Sequence, residues 1–307
     1  MKKFYLGLAV FLLLLLVPFA AYFAYIQSIP PQFTNTLMGT ASYKIELLKQ
    51  KDEPRIIFAG GSSAAYGVDC ERIQGELDVK CIDIGVVYGI GIEFYESLLM
   101  DELREGDIVY FAPEYGMWND QIGYNLVWCC CENYGELLAK IPLQYWPKII
   151  AGPFFTYSKE KLAIYRSGSC DGSAFVEMGE RGDMTNVREN IMEDGYLKDD
   201  PITVNTSYIS EKAVKALNRL DEYAKSVGAK LLVGYPPAVR EALVSDAKER
   251  ALFAEAVEER LTATVVGDIE DSFMSARYFY DTNFHLNTKG VALRSEYLIE
   301  LLEEYVR

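Results

Sequence analysis

One histidine, His285, stands in the whole chain of 307 residues. Zinc sites want spaced Cys/His pairs, and the six cysteines do not supply them. They stand at 70, 81, 129, 130, 131 and 170, with no C-x-x-C spacing, so no metal and no cofactor is expected. Positive charge is also scarce: 30 Lys and Arg against 45 Asp and Glu leave a net charge of −15. Without a basic stripe or a block of like charge, nucleic acid is excluded as a partner. Strong electrostatic docking to an anionic polymer or lipid surface is disfavoured for the same reason. Internal repeats and low-complexity tracts are missing. So are the phosphate loop and the dinucleotide fingerprint, because the later glycine and the lysine of those motifs have no counterpart here.

What is there begins at the N-terminus. Lys2 and Lys3 precede an uncharged run from Phe4 to Ile26, long enough for a bilayer, which takes about 20 apolar residues. Residues 1–27 are expected to be a transmembrane anchor with the lysines on the cytoplasmic side. A cleaved signal peptide is the alternative, since the core Leu8–Val17 is short, but Ala20, Ala21 and Ala24 lack a small residue two positions earlier. No second apolar run of that length follows, so the remainder is expected outside the membrane. The Cys129-Cys130-Cys131 cluster, with Cys170, could then hold a disulfide or stay as buried thiols.

Beyond a Pro-rich linker ("SIPPQFTNTLMG") and a short juxtamembrane helix within 28–54, apolar runs and helical patterns alternate. "RIIFAG", "KCIDIG", "DIVYFAPE", "AKLLVGYPP" and "TATVVGDIE" read as strands. The segments between them, and the last twenty residues behind an Asn287 cap, read as helices. This predicts an α/β domain over 55–307: a doubly wound, mostly parallel five-stranded sheet in a three-layer sandwich. Residues 115–205 break the alternation and read as one long insertion that roofs a site. Arg181-Gly182-Asp183 in it reads as a turn rather than an integrin ligand.

The chemistry concentrates in "IIFAGGSSAAYGVD" and "YFYDTNFHLNTKG". In open parallel sheets ligands bind outside the carboxyl ends of the strands, where Ser62 and Ser63 fall. Gly60 and Gly61 let the chain turn there, and the N–H groups of the next helix can meet an anion. It is not a G-x-S-x-G elbow, since Ala64 replaces the last glycine. His285 opens on the same sheet edge and is the natural general base for a serine, with Asp281 to orient it.

These blocks resemble those of the SGNH (GDSL-like) hydrolase superfamily. The nearest likeness is to its membrane-anchored, extracytoplasmic branch, which includes D-alanyl-lipoteichoic acid transfer and polysaccharide O-acetyl-transfer proteins. "FAGGSSAAYGVD" resembles the first block and places the nucleophile at Ser62. "DIGVVYGIG" resembles the second, whose glycine, here Gly85, gives an oxyanion N–H. "YDTNFHLNTKG" resembles the last, with Asp281 and His285. Two departures stand out. The family's third block, G-x-N-D, is replaced by Pro113-Glu114-Tyr115, with Asn119-Asp120 arriving late. Asp281 and His285 are four residues apart where the family has three. Asn119 and Glu114 are the candidates for the remaining oxyanion or substrate contact, and Glu114 is also the rival to Asp281 for orienting the imidazole.

The resemblance implies a serine esterase or O-acyltransferase anchored in the cell membrane, its domain extracytoplasmic. The substrate would be an acylated cell-envelope polysaccharide or polymer, and a membrane acyl-transfer protein could be a partner. The alternative is a catalytically degenerate envelope-binding or assembly protein.

Overall fold

The computed structural model describes residues 1–119, 122–132, 135–141, 143–150, 152–168, 177–192 and 195–306. The short apolar runs become strands because both of their faces are covered. All six residues of β1 (Arg55–Gly60) are buried. β2 (Lys80–Asp83) and β3 (Ile108–Ala112) follow, then β4 (Lys230–Val233), β5 (Ala238–Val239), β6 (Thr264–Val265) and β7 (Phe273–Met274). Five strands form one all-parallel sheet in the order β2-β1-β3-β4-β6. Ile57 pairs with Ile82 on one side and Val109 on the other. The sequence did not foresee the separate parallel pair β5–β7, because two-residue strands leave no period to read.

Alternate strand residues point to opposite faces. Ile56, Phe58, Ile108, Tyr110 and Leu232 pack with the helices α4 (Cys70–Leu77) and α12 (Thr288–Val306). Ile57, Ala59, Val109, Phe111, Leu231 and Val233 pack with α5 (Ile92–Leu99) and α10 (Glu211–Ser226). Helix starts carry the polar caps that orphan N–H groups need. Asp69 accepts from Arg72 N–H at 2.9 Å, Ser210 from Ala213 N–H at 3.1 Å, and Asn287 from Gly290 N–H at 3.0 Å. Asp246 and Glu249 form a capping box for α11 (Ala247–Arg260).

One expectation changes. The apolar helix α1 spans Lys2–Ser28, and the segment behind it is not a free linker. Ile29, Phe33 and Thr36 are buried, and the Gln32 and Phe33 N–H groups donate to one oxygen of Glu132, at 2.6 and 2.8 Å. The prolines mark the bend, while the aromatic and aliphatic residues between them find a hydrophobic seat. α2 (Ala41–Lys49) then packs on the sheet's α5 face.

The insertion, in turn, folds into α6 (Tyr124–Cys131), α7 (Glu136–Lys140), α8 (Trp146–Ile150) and α9 (Gly152–Ser167). Cys129, Cys130 and Cys131 are buried free thiols in α6, and burial pushes each of them up. Cys170 and Asp120 lie outside the described residues. Cys70 and Cys81 are buried together in the core on the sheet's other face, and burial pushes both thiols up. The Arg181-Gly182-Asp183 turn faces inward: Asp183 is buried and accepts the Cys70 N–H at 3.1 Å.

Arg55 and Asp107 form a fully buried ion pair at 2.7 Å. Arg55 also donates to the Leu48 and Gln50 carbonyls at 2.7 and 2.9 Å, tying α2 to the start of β1. Removing one partner strands the other charge. Arg55→Met should therefore lower stability by about 3–5 kcal/mol, read as the denaturant midpoint. An unchanged midpoint would contradict this role.

Candidate active site

The chain runs from β1 to β2 on one side and returns through β3 on the other, so the sheet order reverses between β1 and β3. Crevices form at such a reversal, outside the carboxyl ends of the strands. β1 delivers Gly61 and the short helix α3 (Ser62–Ala65) there, and β3 delivers Glu114. Ser62 Oγ–H donates to Glu114 Oε1 at 3.3 Å, and Ser63 N–H donates to the same oxygen at 2.8 Å. Gly61 is required by this contact, because a Cβ there would meet the Glu114 carboxylate, with Cδ only 2.7 Å away. Glu114 is buried, and burial pushes its carboxyl up, against the downward pull of Ser63 N–H and of the nearby His285.

Ser62 and His285 border one cavity of about 430 Å³, with Glu114, Tyr88, Leu126 and Ile202 among its walls. Asp200–Thr203 and Tyr115–Gly116 of the insertion also line it, so part of the insertion does wall the site. Ser63 borders a separate small void against Phe58, Tyr110 and Leu298. Only the first serine faces the histidine's cavity.

Asp281 Oδ1 lies 2.8 Å from His285 Nδ1 despite the four-residue spacing. The loop makes this possible. Phe279 and Leu286 pair in an antiparallel bridge, and Tyr280 N–H donates to the His285 carbonyl at 2.9 Å. Thr282 Oγ1 accepts the N–H groups of Phe284 and His285, at 3.2 and 3.0 Å. Asn283 is buried and bonds the Leu197 N–H at 2.9 Å and the Asp200 carbonyl at 2.7 Å. Asp281 and His285 therefore close a tight hairpin, and the additional residue is taken up in its tip. Glu114 does not bond His285; it bonds the serine turn instead.

The two residues expected to supply oxyanion donors are bonded or placed elsewhere in this structure. Gly85 N–H is committed to Asp83 Oδ1 at 3.0 Å. Asp83 is wholly buried and paired with Lys44 Nζ of α2 at 2.6 Å, and Lys44 also bonds the Gly85 carbonyl. Burial raises the Asp83 carboxyl to about 6, against Lys44. Gly85 is glycine for packing: a Cβ would stand 2.7 Å from that of Ala64 and 2.8 Å from the Gly61 carbonyl. Asn119 ends the 3-10 turn Tyr115–Asn119 and is not part of the cavity wall.

Sequence reasoning missed the platform under the imidazole. The Tyr66 ring stacks on His285 with centroids 4.2 Å apart and 11° between planes. The Arg188 guanidinium lies 5.0 Å from the Tyr66 ring and donates to the Leu286 carbonyl at 3.1 Å and the Met184 carbonyl at 3.0 Å. Burial pushes the Tyr66 phenol up to about 12. Tyr66 stood four residues after the candidate serine, but nothing in the sequence tied it to residue 285. The Thr282-Asn283 pair did carry a signal, because such residues close turns through their side chains.

No protein-family model matches the chain, and no curated protein matches it.

Gly85→Ala should push the Ser62 turn out of place. We expect a loss of about 1–3 kcal/mol, as overpacked sites show, measured by denaturant melting. A wild-type midpoint would mean that the turn has room to spare.

Proposed function

We propose that the chain is a serine esterase or O-acyltransferase of SGNH type, held at a membrane by α1. The observation that carries this is the convergence of Ser62, the Asp281–His285 pair and Glu114 on one cavity at the sheet's reversal point. α1 is long and apolar enough to cross a bilayer. An extracytoplasmic domain and an acylated envelope glycan or polymer as substrate complete the proposal.

Asp281 accepts the Nδ1–H of His285 and leaves Nε2 with its lone pair toward chemistry. Ser62 turns from Glu114, Nε2 takes its hydroxyl proton, and Oγ bonds the acyl carbon. The carbonyl oxygen becomes an oxyanion. The ester C–O bond then breaks as His285 returns the proton to the leaving alcohol. Water or a sugar hydroxyl resolves the acyl-serine by the same steps reversed. Ser62 N–H and a protonated Glu114 are the donors for the oxyanion, with Glu114 in the place where the family carries asparagine. Its raised pKa keeps that proton to a higher pH than an ordinary carboxyl would.

Two observations favour a second reading, a degenerate binding protein. The serine hydroxyl is bonded to Glu114, not to the imidazole, and Gly85 offers no free N–H. A fluorophosphonate probe with mass spectrometry decides between them. We expect the label on Ser62, abolished in Ser62→Ala, strongly slowed in His285→Gln and Asp281→Asn, and retained in Ser63→Ala. No label on folded protein would establish the binding reading.

Glu114 gives a further expectation. Replacing it by alanine should slow labelling by about 10²–10³, as loss of an oxyanion donor does. Glu114→Gln keeps a donor and should keep most of the rate. In the wild type the rate should fall at high pH as the carboxyl ionises, and Glu114→Gln should lack that fall. An identical alkaline limb in both would remove Glu114 from this role.

A further inference from the structure

We propose that helix α9 lies in the membrane interface, so that the domain is seated on the lipid surface rather than carried above it. The inference rests on α1 crossing the bilayer. A hydrocarbon core of about 30 Å takes roughly 20 helical residues at about 1.5 Å each. Counted from Lys3, the far boundary falls near Phe23, so Phe19 and Tyr22 are still within the apolar layer. Those residues are not bare. Phe19 packs on Phe154 at 5.8 Å between ring centroids and on Phe155 at 6.2 Å. Tyr22 stacks on Phe155 at 5.7 Å, and Phe23 stacks on Phe154 at 5.2 Å. The first turn of α9 therefore stands at the depth of the last apolar turns of α1.

The side of α9 turned away from the protein fits that depth. Phe154, Tyr157, Ser158 and Lys161 face inward. Phe155, Lys159 and Arg166 are exposed at helical spacing along one stripe, Phe155 at 50%, while Leu162 beside them is half-buried and packs back on the core. An aromatic with long cationic side chains is the pattern of an interfacial helix, where Lys and Arg stems lie on lipid and their heads reach water. The neighbouring stripe, Thr156, Glu160 and Ala163, is polar or small and suits the aqueous side. Apolar burial, not net charge, supplies the attraction, which agrees with a chain at −15.

α9 is also unable to swing away. Glu132 accepts the Gln32 and Phe33 N–H groups just after α1, the Tyr157 hydroxyl at 3.1 Å, and Lys161 Nζ at 2.9 Å. Both members of that ion pair are buried. The segment leaving the membrane and α9 are thus bonded to one carboxylate. Leu37 of that segment and Leu126 of α6 continue into the wall of the Ser62 cavity.

The test uses the full chain in lipid nanodiscs with a photoreactive benzoyl-phenylalanine at one position at a time. Leu14 probes α1, Phe155 and Lys159 probe the stripe, and Leu293 on α12 probes the opposite sheet face. We expect phospholipid adducts at Leu14, Phe155 and Lys159, several-fold above Leu293. Adducts at Leu14 with only the Leu293 level at both α9 positions overturn the proposal. So does cross-linking of Phe155 to a protein instead of lipid, or equal adducts at Leu293. No adduct at Leu14 shows that α1 is not in the bilayer, and the proposal falls with it. That last outcome leaves the chemistry at Ser62 untouched.

Discussion

The serine turn is folded around one buried carboxylate. Glu114 leaves the end of β3 with its carboxyl group inside the protein, and a buried polar group is tolerated only when it is hydrogen-bonded. Ser62 Oγ–H and Ser63 N–H supply those bonds. Gly61 supplies the room, and Gly85 lets the next strand's loop close behind α3. Lys44 and Asp83 brace that loop from α2. The site is therefore not an accessory on a finished sheet. The sheet's reversal between β1 and β3 sets the place, and Glu114 decides what conformation the serine can take there.

The imidazole is held by a different means. Asp281 fixes one ring nitrogen, Tyr66 covers one face, and Arg188 locks the backbone that carries the ring. Tyr66 caps the C-terminal end of α3 and Arg188 comes from the insertion, so two distant pieces of sequence converge on one histidine. The same insertion bonds the segment that follows α1 through Glu132. The segment behind α1, the cavity wall and the histidine support thus share one folded unit.

Much of this was legible in the sequence, for physical reasons. Strands such as β1 are apolar from Ile56 to Ala59 because both faces are covered, and helix caps such as Asn287 are local signals. Ser62, Asp281 and His285 were legible because their residue types carry chemistry and because three short blocks resemble a known order. What stayed hidden was non-local. That Gly85 N–H is consumed by Asp83 depends on a lysine thirty-nine residues from that carboxylate, in α2. The stacking of Tyr66 on His285 joins residues from opposite ends of the domain. The segment Ile29–Thr40 looked like a linker because prolines mark a bend and say nothing of what the residues between them touch.

The central claim is that His285 presents an unprotonated Nε2 to Ser62 while Asp281 holds its Nδ1–H. The chain has one histidine, so long-range nitrogen–proton NMR on labelled full-length protein reads it without ambiguity. Near neutral pH the account requires the Nδ1–H tautomer, carbon-bound ring protons shifted upfield by Tyr66, and an Nε2 resonance that moves when Ser62 is phosphonylated. An Nε2–H tautomer, or an imidazole spectrum indifferent to modification of Ser62, would contradict it.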